Sequence, residues 1–279
     1  MTTEPNTPII RDDDQGIPRF LGCLFPEVGA PSYFADSTGP IPLTPRDQWR
    51  DVDYSDWLPP VLNQGSTPMC GGFSTAAAHT AAAAMAGGGR KPTDVLSPGW
   101  VYGYCAEPGG GILVRNALTC LQDRGCPPVS VIGEFDTNVN NYNRRALDIA
   151  KRYCLTAAYQ ITSFDAMASA LMSGYLVEFG VLLGHAFKPD SRGVVPDAEL
   201  RLDGTDGGHA MFCYGIKRID NRWYAVVRNS WGEQWGNGGS CYMPESYFRH
   251  TIPGYRWNNL DAFAIKGLLA AQSIPAIST

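Results

Sequence analysis

The chain has 279 residues, 44% hydrophobic and 18% charged, enough apolar material for one large or two small cores. A formal net charge of −5 with no basic run argues against a nucleic-acid partner. No apolar stretch reaches the ~20 residues of a membrane span. The start, Met1-Thr2-Thr3-Glu4-Pro5-Asn6, has neither the basic nor the apolar region of a signal peptide, so a cytoplasmic or virion-associated location is expected.

Residues 1–45 are rich in Pro and Gly and lack helical periodicity, so they read as an extended arm. Docking onto a protein partner is the favoured role for it, with occlusion of a cleft as the alternative. Gln64 to Cys70 is a turn-rich loop, and Cys70 opens an alanine-rich helix over Ser74–Ala86 that Gly87-Gly88-Gly89 ends. A second helix starts at Ser97 as N-cap with Pro98 in its first turn. A third runs over 112–123 with apolar residues at 114, 117, 118 and 121, and a fourth over 141–153. Ser163 caps a further helix that Gly174 ends. The period then changes to strands, over 175–183, 209–218, 223–228, 239–242 and 261–265. A mainly helical part over 46–155 is therefore followed by a β-rich part over 156–279, an α+β chain with a cleft between its halves.

Three residues in this order carry a chemistry: Cys70 at a helix start, His209 on a strand and Asn229 after a strand. A cysteine attacks as thiolate, and a helix N-terminus and a neighbouring imidazolium both favour that form. The histidine returns the proton to a leaving amine. An asparagine carbonyl holds the ring in one tautomer without adding charge.

These residues resemble the papain-like cysteine peptidases, of the divergent bacterial and viral kind. The family stretch Q-G-x-C-G-S-C-W-A-F-S aligns without a gap over Gln64–Ser74, and N-S-W-G-x-x-W-G over Asn229–Gly236. The histidine and asparagine lie roughly 140 and 160 residues after Cys70, near the family's ~130–150. The resemblance covers about residues 45–266. It implies a two-lobed fold, a helical lobe and an antiparallel sheet or barrel flanking the cleft, and hydrolysis of peptide bonds in a peptide or protein substrate through a thioacyl-enzyme. It also implies that Cys70 is nucleophile, His209 acid and base, Asn229 its orienting group and Gln64 an oxyanion donor beside the Cys70 N–H. Gly110 and Gly111 would lie on the cleft floor, where bare backbone pairs with an extended substrate, although a plain loop before a helix is an equal reading. Gly208 and Trp231 flank the site, Trp231 shielding the His–Asn bond from water. No cofactor is implied.

The chain also departs from the family. Gly71 stands where the family has tryptophan after the nucleophile, Thr67 where it has a cysteine, and Pro68 and Met69 replace small residues. Two other readings keep the fold: a catalytically idle structural or binding module, and an amide hydrolase or transpeptidase on non-protein substrates. The eight cysteines are mostly expected as buried free thiols, with Cys120 and Cys126 a candidate local pair, and the absence of C-x-x-C argues against zinc. His79 reads as a structural or surface histidine, His185 as a minor rival to His209, and His250 as exposed. Glu178 reads as facing solvent from one side of a strand rather than as a catalytic carboxylate.

Overall fold

The computed structural model describes residues 9–13, 15–28, 41–89, 91–92, 94–201, 206–249, 251–252 and 259–268. In chain order the elements are β1 (Ile9–Asp12), β2 (Pro18–Leu21), β3 (Cys23–Leu24), β4 (Val52–Asp53), α1 (Cys70–Gly87), α2 (Pro98–Cys105), β5 (Ile112–Leu113) and α3 (Val114–Asp123). They continue with α4 (Arg144–Ala150), β6 (Leu155–Ile161), α5 (Phe164–Met172), β7 (Leu176–Leu183), β8 (Gly207–Ile219), β9 (Arg222–Arg228), β10 (Ser240–Pro244) and β11 (Leu260–Leu268). Among the described residues no helix is long and apolar enough to cross a membrane.

Helix α1 is the hub. It is buried on every side from Cys70 to Ala84, so alanine, threonine and glycine replace the usual two-faced pattern and let neighbours approach closely. It begins at Cys70, four residues earlier than its propensity suggests. A Cβ on Gly71 would lie 1.9 Å from Ile112 Cγ2, and one on Gly72 would lie 2.8 Å from the Pro98 carbonyl oxygen. These glycines cost helix propensity but permit the packing that holds the first turn. Gly88, at φ 72°, supplies the left-handed cap. At α2, the Ser97 hydroxyl accepts from Trp100 N at 3.0 Å, the cap its sequence announces.

The sheet runs β10-β9-β8-β7-β11-β6, with β4 paired to β8, every pair antiparallel. Helix α1 packs against β7, β8 and β11, and α5 against β7 and β8. All eight residues of β7 are consequently buried. Glu178 is among them, which corrects its expected place on a solvated face: the strand has no solvated face because helices cover both sides.

Other departures have local causes. The expected helix over 112–123 starts with two strand residues, because Ile112 and Leu113 pair in parallel with Cys23 and Leu24. The expected helix over 141–153 is interrupted: the Asn143 side chain accepts from Ala146 N at 3.0 Å and starts α4 only there, and a tighter turn over Lys151–Tyr153 follows. Strand β6, unforeseen in the sequence, is an outer strand on β11.

The described part of the N-terminal arm packs on the chain's own body. Strands β1 and β2 form a hairpin. Arg11 donates to the carbonyls of Leu183 and Gly184 at 3.2 and 2.7 Å. Arg19, 3% exposed, pairs with Asp13 at 2.9 Å and donates to Asn63 Oδ1 and the Trp231 carbonyl at 3.0 and 3.1 Å. The rest of the arm lies outside the described residues.

Gly125 closes α3 at φ +69°, and a Cβ there would sit 1.9 Å from the Ala150 carbonyl oxygen. Gly125→Ala therefore combines backbone strain with a clash against main chain, and we expect a loss of about 2–4 kcal/mol, or roughly 5–10 °C in Tm, measured by calorimetry.

Candidate active site

Cys70 is the first residue of α1 and is fully buried. Backbone groups of Ala210, Gly22 and Gly71 lie near its sulfur and favour the thiolate. His209 lies on β8 opposite Val181 of β7, also fully buried. Its Nε2 is 2.8 Å from Asn229 Oδ1. An Asn carbonyl only accepts, so Nε2 carries the proton and Nδ1 is left as the basic nitrogen in the neutral ring. Nδ1 has no hydrogen-bond partner among the described residues. Trp231 covers the ring, with centroids 4.8 Å apart and planes at 35°. It is itself packed edge-on to Trp235 and Phe187.

Gln64 is buried beside them. Its Oε1 accepts from Ser230 Oγ at 2.7 Å, which orients the amide and leaves Nε2 to donate. Nε2 gives its bonds to the Thr67 carbonyl at 2.8 Å and to the Phe20 carbonyl, in the arm, at 3.1 Å. The structure thus brings Gln64, Cys70, His209, Asn229 and Trp231 into one seam between α1 and β8.

The arm runs through that seam. Gly22 lies against the sulfur of Cys70 through its N–H, while its carbonyl accepts from Ile112 N at 2.9 Å. Cys23 lies over two glycines: a Cβ on Gly208 would be 1.9 Å from its carbonyl oxygen, and one on Gly180 would be 2.3 Å from its Sγ. Gly208 therefore serves as a space for an extended chain. Gly110 and Gly111 both have positive φ, and Gly111 lies against the arm, a Cβ there falling 2.8 Å from the Gly22 carbonyl. The pairing itself is made by Ile112, one residue beyond the glycine strip. Phe20, Gly22, Cys23 and Gly180 had no signal in the sequence, because their meeting is non-local and the arm segments are two to four residues long.

Enclosure sets the charge states. Burial pushes the Cys70 thiol up to about 11, against the lowering effect of the three backbone groups. Burial pushes His209 down to about 4; the bond to Asn229 opposes this, and Arg11 and Arg19 add to it. With the arm in place both groups are neutral at pH 7. Burial thus opposes the thiolate–imidazolium pair expected from the sequence.

The remaining candidates fall elsewhere. His79 is buried, its Nε2 3.0 Å from the Tyr153 carbonyl. His185 is exposed, 3.8 Å from Glu199. His250 lies outside the described residues. All eight cysteines are free thiols, and Cys120 makes its thiol contact with Cys105 rather than with Cys126. Among the described residues no group of three or more His, Cys, Asp or Glu could hold a metal ion.

A thiol at the start of a buried helix, a hydrogen-bonded His–Asn pair on the sheet that packs against that helix, and an antiparallel sheet are the architecture of the papain-like α+β fold. The family model described as Papain family cysteine protease matches residues 44–248, and the chain belongs to that family. Cathepsin O of Mus musculus is 27% identical over 224 residues, 77% of this chain and 68% of that protein. A cathepsin L-like proteinase of Phaedon cochleariae is 26% identical over 191 residues, and this chain spans only 55% of its length. Among solved structures, xylellain, a cysteine protease from Xylella fastidiosa, superposes with a TM-score of 0.66 at 20% identity, covering 93% of this chain and 99% of that one, a likeness of fold.

A neutral buried imidazole has a stability signature. The folded state holds His209 below the ~6.5 of an unfolded chain, so the stability linked to it is complete above about pH 6.5 and is lost as pH falls towards 4. In the full chain the ring-nitrogen NMR shifts of His209 should titrate with a midpoint near 4. A midpoint in the ordinary imidazole range would show that the enclosure does not control the ring.

Proposed function

We propose that this chain is a cysteine endopeptidase working through a thioacyl-enzyme, and that its own N-terminal arm keeps it latent. The observation that carries this reading is the contact of Phe20 O with the Gln64 amide directly beside buried Cys70.

In the open enzyme, Nδ1 of His209 takes the Cys70 proton, and the thiolate attacks the carbonyl carbon of the scissile peptide bond. The oxyanion is held by Gln64 Nε2 and the Cys70 N–H. The imidazolium protonates the leaving amine, the C–N bond breaks, and the acyl group stays on sulfur. His209 then takes a proton from water, whose oxygen displaces the sulfur and releases the acid. Asn229 holds the ring throughout through Nε2–H, and Ser230 holds the Gln64 amide. The cleft takes an extended chain through main-chain bonds, as the pairing of Gly22 O with Ile112 N illustrates.

The arm occupies the same groups out of frame. The carbonyl on Gln64 belongs to residue 20, whereas the sulfur faces the N–H of residue 22. Among the described residues of the arm, no one peptide bond presents its oxygen to the donor and its carbon to the thiol, which accounts for an arm that blocks without being cut. This reading replaces docking on a partner as the arm's role.

Gly22 offers the test in the full chain, because a Cβ there would lie 2.4 Å from the Pro68 carbonyl oxygen. Gly22→Val should dislodge the arm and raise turnover of an extended fluorogenic peptide library at least about tenfold, with the added Cys70→Ala removing all of it. Equal turnover in wild type and Gly22→Val would exclude latency; no turnover in either would exclude the peptidase. Within Gly22→Val, Gln64→Ala should lower kcat by about 10²–10³ with little change in KM. His209→Ala should cost more than Asn229→Ala, since one transfers protons and the other only orients.

A further inference from the structure

Glu178 has no part in the chemistry above, yet its place demands a reason. It is the one charged-type residue in a strand whose eight positions are all buried, and no basic side chain bonds it among the described residues. An apolar residue would fill the position at less cost in desolvation. Its carboxyl oxygens instead accept from the nucleophile helix: Oε2 from Ser74 Oγ at 3.0 Å and Oε1 from Thr75 Oγ1 at 3.1 Å.

Those two hydroxyls are unusual in their own right. Threonine in a helix commonly bonds back to the carbonyl four residues earlier, as Thr80 does to Ala76 at 2.7 Å and Thr119 to Arg115 at 2.9 Å. Thr75, in the same helix as Thr80, reaches across to β7 instead. Ser74 is one turn beyond Cys70, and Glu178 is three residues from Val181, the partner of His209 across the β7–β8 ladder. The carboxyl group therefore ties the turn behind the nucleophile to the strand beside the histidine.

We propose that Glu178 is a positioning residue: its buried carboxyl pins the start of α1 to the sheet and so fixes where the Cys70 sulfur stands relative to the His209 ring. When the carboxyl is protonated, one oxygen donates to one of the hydroxyls and the other oxygen accepts, so both ties persist. Burial raises the group well above the ordinary carboxylate range, the two hydroxyl bonds only partly opposing it, and an ionised Glu178 would disfavour thiolates at Cys70, Cys23 and Cys213. The proposal rests on the peptidase reading for its catalytic consequence, but not for the tether itself.

The test uses the full chain as wild type, Glu178→Gln and Glu178→Leu. Cys23 is the reference thiol, since it is buried on the arm against Gly180 and Gly208 and departure of the arm releases it together with Cys70. The ratio of Cys70 to Cys23 alkylation by iodoacetamide at pH 6 thus cancels the opening equilibrium. Gln can still bond both hydroxyls and Leu cannot, so the ratio should fall about tenfold or more in Glu178→Leu and less than about threefold in Glu178→Gln, as expected when a reacting group is displaced on the order of 1 Å. With Gly22→Val added, kcat should follow the ratio while KM stays level. Equal ratios in all three proteins overturn the proposal. A wild-type ratio near one tells against the peptidase reading, and hydrogen exchange at the Phe73 and Ser74 amides then decides the tether. Faster exchange in Glu178→Leu than in Glu178→Gln supports it, and equal exchange overturns it.

Discussion

The site depends on one seam, where a helix start from the first half of the chain must stay in register with two strands from the second. The register is set in main chain as well as side chain. Gln64 N donates to the Ser230 carbonyl at 2.9 Å, Gly232 N to the Leu62 carbonyl at 3.0 Å, and Asn63 bridges Trp231. Ser230 then orients the Gln64 amide with its hydroxyl. The asparagine that holds the imidazole and the serine that holds the amide are neighbours in sequence, so two separate functions share one rigid turn. Because the seam is dry, each of these bonds is stronger than it would be in water, and each missing one would be more costly.

On the proposed reading, the same enclosure lets the arm act on reactivity as well as access. A thiolate–imidazolium pair needs solvation or a close partner, and among the described residues the seam offers Cys70 backbone N–H groups and His209 a neutral amide. The guanidinium groups of Arg11 and Arg19, which strap the hairpin down, also disfavour a positive imidazole. On the proposed reading, removing the arm would therefore uncover the cleft, admit water and withdraw two positive charges in a single step.

Much of this was legible in the sequence, for identifiable reasons. Gln64–Ser74 and Asn229–Gly236 are short, contiguous motifs whose chemistry is local, and the caps at Ser97 and Ser163 announce α2 and α5 through residue type alone. Glu178 departs from its expected place because strand alternation implies a wet face only where no helix covers the strand. Gly71 stands where the family has tryptophan, and Ile112 occupies the space above it. The arm's path was hidden because it depends on pairings between Gly22 and Ile112, Cys23 and Gly208, and Phe20 and Gln64, none of which leaves a periodic trace.

The arm and the body are one covalent chain, joined between Val28 and Ile41. A blocking segment held on a short tether has an effective concentration on the order of millimolar. On the proposed reading its occupancy of the cleft is therefore insensitive to dilution of the protein, and a soluble peptide would have to reach comparable concentrations to displace it. A single cut in the connecting segment would change the order of the equilibrium. The same contacts would then hold a separate peptide, whose occupancy falls as the protein is diluted, so on the proposed reading a nick there would govern how often the cleft is free.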